Sequence, residues 1–184
     1  VRVVDNGVRP SGLLGLSRAF QRQTRQIKVF QIGKNGGMNQ EELTSFIQCS
    51  NPFFEKVKEA NLLPYMWRFP EGCCEVASGI VGVALERLYP TATVHVVKGT
   101  AKDVYRMHFW VEINEWVVDV TSHQFPHIET PILCSVPNPL ERKFPDTERM
   151  SSASAVEALK EVRCSPELIS GLADRLLEDV RNGT

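Results

Sequence analysis

The chain contains no apolar run approaching the length of a membrane span, and no charged-then-apolar leader pattern opens it. Neither a transmembrane helix nor a secretory signal is expected. Its five cysteines, at 49, 73, 74, 134 and 164, form no C-x-x-C pair and follow no framework spacing. An odd, irregular set argues against a disulfide-stapled secreted fold and for a reducing, cytoplasmic compartment. Zinc is disfavoured on related grounds. Adjacent Cys73 and Cys74 are poorly placed to share one tetrahedral ion, and Pro126 between His123 and His127 keeps that pair off a single helix face. No metal and no cofactor are expected. The glycine-rich stretch 33–39 lacks a trailing Gly-Lys-Ser/Thr, so a phosphate loop is excluded. No internal repeat is visible. Because the first residue is valine, the chain is compatible with being a piece of a longer protein.

What is present is ordinary for a globular protein. The 184 residues are 42% hydrophobic and 23% charged, enough for one sizeable core, and a single domain is expected over 1–184. Within it the reading separates an N-terminal helical and strand region (1–63), a core carrying the chemistry (64–125), a proline-rich loop (126–150) and C-terminal helices (151–184). The net charge of −1 hides an asymmetry: residues 1–34 carry seven basic side chains and one acid, Asp5. The basic residues are interleaved with Gln and Leu and have no aromatic stacking pattern beside them. A solvated helix face explains them better than a nucleic-acid interface.

The chemistry-bearing pattern starts at Gly72-Cys73-Cys74. Residues 64–72 contain two prolines and a glycine and read as an irregular approach. From Cys73 to Leu88 the chain is free of proline and apolar on nearly every face, which marks a buried helix ending at Tyr89-Pro90. Gly79 and Gly82 would admit close neighbours. Cys74 falls in the first turn, where unpaired N–H groups and the helix dipole favour a thiolate. Further on, Met107–Ile113 and Trp116–Thr121 read as two strands joined by Asn114-Glu115. That turn pairs Ile113 with Trp116 and Glu112 with Val117, and sets Trp110 opposite Asp119. His108, Trp110, Glu112 and Asp119 then share one face, and Asp119 is diagonal to His108 within reach of a carboxylate–imidazole hydrogen bond. A slip of one residue would destroy the pairing. A cysteine, a histidine and an aspartate in that order suit acyl transfer through a thioester. Taken singly, each is more often a core thiol, a packed histidine or a turn residue. The ordered set reverses that balance.

Gly-x-Cys at a helix start, His108-Phe109-Trp110-Val111-Glu112 on a strand and Asp119 on the next resemble the transglutaminase-like branch of the papain-like cysteine enzymes. The resemblance runs from about Phe69 to Phe125. It implies that Cys74 is the nucleophile, His108 the general base and acid, and Asp119 the orienting carboxylate. The His-to-Asp connection is shorter than in large transglutaminases, and Cys73 stands where many relatives have a bulky or polar residue. The implied fold is α+β, with a buried helix carrying the cysteine packed on a small antiparallel sheet carrying His and Asp, and with flanking helices at both termini. The implied activity is deamidation or cleavage of an amide in a protein or peptide substrate. By the same resemblance, such activities are common among bacterial effectors and toxins delivered into host or competitor cells. A cysteine peptidase, a transglutaminase, an acyltransferase for small amines and a non-catalytic interaction module keeping the fold stay open as alternatives.

Gln124 and Trp110 are the further candidates for lining the substrate or the oxyanion, with Trp110 better suited to core packing. The backbone N–H of Cys74 is a natural oxyanion donor. Elsewhere the pattern predicts a helix from Ser11 to about Gln23, a strand over Gln26–Ile32 and helix over Gln40–Leu63, broken near Asn51-Pro52. A strand over Ala92–Lys98 is expected to pair with the hairpin. Residues 126–145, with five prolines, are expected to be mostly loop. Two terminal helices are expected to be capped by Ser154 and Ser165, the second burying Leu168, Ile169, Leu172, Leu176 and Val180.

Overall fold

The computed structural model describes residues 38–102 and 106–183. The helix and strand expected before residue 33 lie outside the described residues. The first described helix, α1 (Gln40–Glu59), is capped by Asn39, whose side chain accepts from the Glu42 N–H at 2.9 Å. It runs straight through Pro52, against the expected break. Proline removes one helical hydrogen bond and clashes with the preceding turn, at a cost of about 3 kcal/mol. Burial of Phe46, Ile47, Cys49, Phe53, Phe54 and Val57 on either side of Pro52 outweighs that cost.

A 3-10 turn (Met66–Arg68) leads to α2 (Cys74–Leu88), which starts and stops where the sequence places it. Gly82 on α2 admits close neighbours: a Cβ there would lie 2.8 Å from the Ser152 hydroxyl and 2.9 Å from a Val96 methyl. Five antiparallel strands follow: β1 (Val94–Thr100), β2 (Met107–Ile113), β3 (Trp116–Asp119), β4 (Ile132–Ser135) and β5 (Asp146–Met150), in spatial order β4-β3-β2-β1-β5. The architecture is therefore α+β. The β2–β3 register is the expected one, with Ile113 opposite Trp116, Glu112 opposite Val117 and Val111 opposite Val118. β1 pairs with the hairpin, as its β-branched run suggests.

Three expectations need correction. Residues 126–145 are mostly irregular as expected, but the stretch 126–150, read as a proline-rich loop, also contains both edge strands. β4 fits between Pro131 and Pro137, so the prolines flank the pairing segment instead of interrupting it. β5, Asp-Thr-Glu-Arg-Met, is largely exposed and carries no apolar alternation to betray it. Among the terminal helices, α3 (Ser152–Ala158) is capped by Ser151, whose hydroxyl accepts from the Ser154 N–H at 3.1 Å, so the cap lies three residues before the expected one. α4 (Pro166–Asn182) has its cap at Ser165 as expected, but Leu168 points outward and is exposed.

The sheet separates two apolar clusters. Phe109, Val111, Ile113 and Val118 join the residues of α1, α2 and α4 in the main core. Val97, Trp110 and Val117, from the opposite face, pack with Leu140 and Phe144 in a second one. The helices cover the first face and the chain after β3 covers the second.

Candidate active site

Gly72 has φ +66, a left-handed conformation that costs little only for glycine. It turns the chain into α2, placing Cys73 at the cap position and Cys74 as the first helical residue. The two thiols part company there. Cys73 is buried in the main core and donates to the Pro70 carbonyl at 3.3 Å. Burial, and then the neighbouring Cys74, push its thiol up to about 12, which leaves it protonated and inert. Cys74 is only half-buried. Of the two adjacent thiols, Cys74 is the more accessible.

His108 is the second residue of β2 and is 1% exposed. Its Nε2 lies 2.7 Å from Oδ2 of Asp119, which is equally buried. The other oxygen of Asp119, Oδ1, accepts from the Thr121 N–H at 2.9 Å and from the Thr121 hydroxyl at 3.1 Å. Around the imidazole stand three aromatic rings. Phe125 meets it edge-on at 4.8 Å between centroids, Phe144 lies at 5.5 Å and Trp110 at 6.1 Å. Burial alone would lower the basicity of His108. The charge and hydrogen bond of Asp119, aided by hydrogen bonding and charge from Cys74, override that and raise it to about 9.

The remaining ring nitrogen, Nδ1, is buried and has no aligned hydrogen-bond partner. Cys74 acts on the imidazole through charge and hydrogen bonding but forms no aligned hydrogen bond with it. Catalytic hydrogen bonds are often long or poorly aligned before substrate binds. Cys74 is the first residue of α2 and His108 the second of β2. This placement matters because His108 shares the face of Trp110, whereas α2 packs on the face of Phe109 and Val111. The body of the helix therefore covers the face opposite the imidazole.

Of the weaker candidates, Trp110 has no exposed surface and donates its indole N–H toward Glu112 at 3.4 Å. It is part of the second core and does not line a cleft. Glu112, on the same face, is held by a two-pronged ion pair with Arg149 of β5 at 2.7 and 2.9 Å. Its role is structural. Gln124 sits on a 3-10 turn (Ser122–Gln124) and donates its side-chain amide to the Thr121 carbonyl at 2.9 Å. That bond stitches the turn after β3. His123, on the same turn, packs edge-on against Phe69 at 5.7 Å, and its basicity is lowered by burial against the opposing pull of Asp119 and Glu55.

The sequence reading passed over Thr121, Phe125 and Phe144. Thr121 had a local signal: an aspartate two residues before it can accept the main-chain N–H in an Asx turn. The phenylalanines had none, since their contact with His108 depends on how the chain after β3 folds back over the sheet.

No family model and no curated protein matches the chain. A solved structural-genomics target is similar to it with a TM-score of 0.43 and 11% identity, over 82% of this chain and 84% of that one.

Proposed function

We propose that the chain is a cysteine-dependent amide hydrolase or acyltransferase that works through a thioester on Cys74. The observation that carries this reading is an imidazole anchored by a buried, doubly hydrogen-bonded carboxylate, with a half-buried helix-start thiol contributing to its raised basicity. The transglutaminase-like, papain-like assignment of the fold belongs to the same proposal and rests on the Gly-x-Cys, His-x-Trp-x-Glu and Asp pattern.

In the first half-reaction the Cys74 sulfur, its proton already carried by His108 as imidazolium, bonds to the carbonyl carbon of a carboxamide. Asp119 stabilises that imidazolium and holds the ring in its orientation. The N–H groups of the first turn of α2 have no helical partners, and no side chain of Cys73 caps them. The one on Cys74 serves the developing oxyanion. Collapse of the adduct breaks the C–N bond, and His108 returns the proton to the departing nitrogen as ammonia or an amine. Water or a second amine then attacks the thioester, yielding a carboxylate or a new amide and restoring the thiol.

Glutamine deamidation or amide hydrolysis on a protein substrate is the form we favour. Incubation with glutamine-containing peptides, with and without an added amine, tests it. Ammonia release without chain cleavage, lost in Cys74→Ala, is the expected result. New peptide termini would mark a peptidase instead, and release that survives Cys74→Ala would contradict the mechanism.

A further inference from the structure

The structure assigns Thr121 as a positioning residue that holds Asp119 in the orientation His108 requires. This inference rests on the proposed function and deepens it. Asp119 has two oxygens with separate duties. Oδ2 faces Nε2 of His108 at 2.7 Å, and Oδ1 receives both the main-chain N–H and the hydroxyl of Thr121. A carboxylate on the last residue of a strand would otherwise turn about its terminal torsion, which is broad and roughly two-fold. Two donors from one residue, fixed relative to each other, remove that freedom.

Thr121 is itself fixed. It has no exposed surface. Its carbonyl accepts from the Gln124 N–H at 3.0 Å and from the Gln124 side-chain amide at 2.9 Å. The next residue, Ser122, donates its hydroxyl to the Asp119 carbonyl at 3.1 Å and accepts from the Ile132 N–H at 2.9 Å. The turn after β3 is thus tied to β4 and back to Asp119. The charged or titratable groups acting on the His108–Asp119 pair are Cys74, on the imidazole, and His123, on the carboxylate side. The rings of Trp110, Phe125 and Phe144 complete the surround of His108. None of these replaces the Thr121 hydroxyl as a donor to Oδ1.

The test compares Thr121→Val, which keeps the shape and the main-chain N–H but loses the hydroxyl, with Thr121→Ser, which keeps the hydroxyl. The readout is the protonation midpoint of His108, followed by NMR of ring-labelled histidine. With Oδ1 held by the main-chain N–H alone, Asp119 turns from the imidazole, and the weakened pairing is expected to lower the proton affinity of His108 about tenfold in Thr121→Val. Thr121→Ser is expected to restore it to within about twofold of the wild type, whereas a purely packing role would leave the midpoint unmoved in both. Should the valine variant fail to fold, Thr121→Ala against Thr121→Ser makes the same comparison. A midpoint unchanged in Thr121→Val, or a serine variant as impaired as the valine, overturns the inference. Labelling of the same wild-type sample with iodoacetamide separates the two levels. If Cys74 reacts no faster than half-buried Cys134, the enzyme reading fails; if Cys74 is fast and the midpoint is unmoved, only the role of Thr121 does.

Discussion

His108 makes the stability of this protein depend on pH in a definite direction. Its basicity is raised from 6.5 to about 9, so the folded chain binds that proton more tightly than the unfolded one. The resulting stabilisation is complete below about pH 6.5 and is lost as the pH rises through about 9, with an upper bound of roughly 3 kcal/mol. Urea midpoints measured from pH 6 to 9 should fall, and His108→Gln should flatten the slope. Neighbouring groups leave this window clear. His123, whose basicity is lowered, adds stability with rising pH only up to about 6.5. Cys73, held protonated up to about 12, costs stability only above 9. A second expectation concerns the turn into α2. Gly72→Ala forces a side chain into φ +66 and should cost about 1 kcal/mol in a melting experiment.

At the level of elements, the strain in α1 is testable by removal. Pro52 is exposed and lies well inside the helix. Pro52→Ala should restore one helical hydrogen bond and raise stability by about 1–2 kcal/mol, less than the full interior penalty because alanine also loosens the unfolded chain. On the sheet, Glu112 is buried and Arg149 nearly half exposed. Arg149→Met should therefore destabilise by about 1–2 kcal/mol, below the 3–5 kcal/mol typical when a fully buried pair is broken. The hairpin was legible before any coordinates because a two-residue turn leaves one register, and that register alone put Asp119 beside His108. β5 was not legible. Its five residues alternate nothing, and they pair because β1 offers a free edge, a fact set by tertiary structure. The persistence of α1 through Pro52 was hidden for a similar reason, since local chemistry argues for a break and only burial argues against it.

At the scale of the whole molecule, among the described residues, helices cover one side of the sheet, and Phe125, Leu140 and Phe144 cover the other. Gly99 is tied to this arrangement. It lies opposite His108 on β1, and a Cβ there would come within 2.6 Å of the Trp110 ring and 2.7 Å of Phe144. Gly99→Ala should displace both and lower thermal stability by about 1–3 kcal/mol. The pairing of His108 with Asp119 was readable from order and spacing. The helices cover the apolar face of Phe109, Val111 and Ile113, while Trp110 on the face of His108 and Glu112 packs with Leu140 and Phe144, which no local pattern announces. No helix among the described residues is long and apolar enough to cross a membrane.

The central claim is that Cys74 is a nucleophile served by His108. Mass-mapped iodoacetamide labelling of all five cysteines across pH, in wild type and His108→Ala, tests it most directly. The account predicts that at neutral pH Cys74 is labelled well ahead of the other four thiols, and that removing His108 abolishes that lead. Equal labelling of Cys74 and Cys134, or a lead for Cys74 that persists without the imidazole, would contradict it.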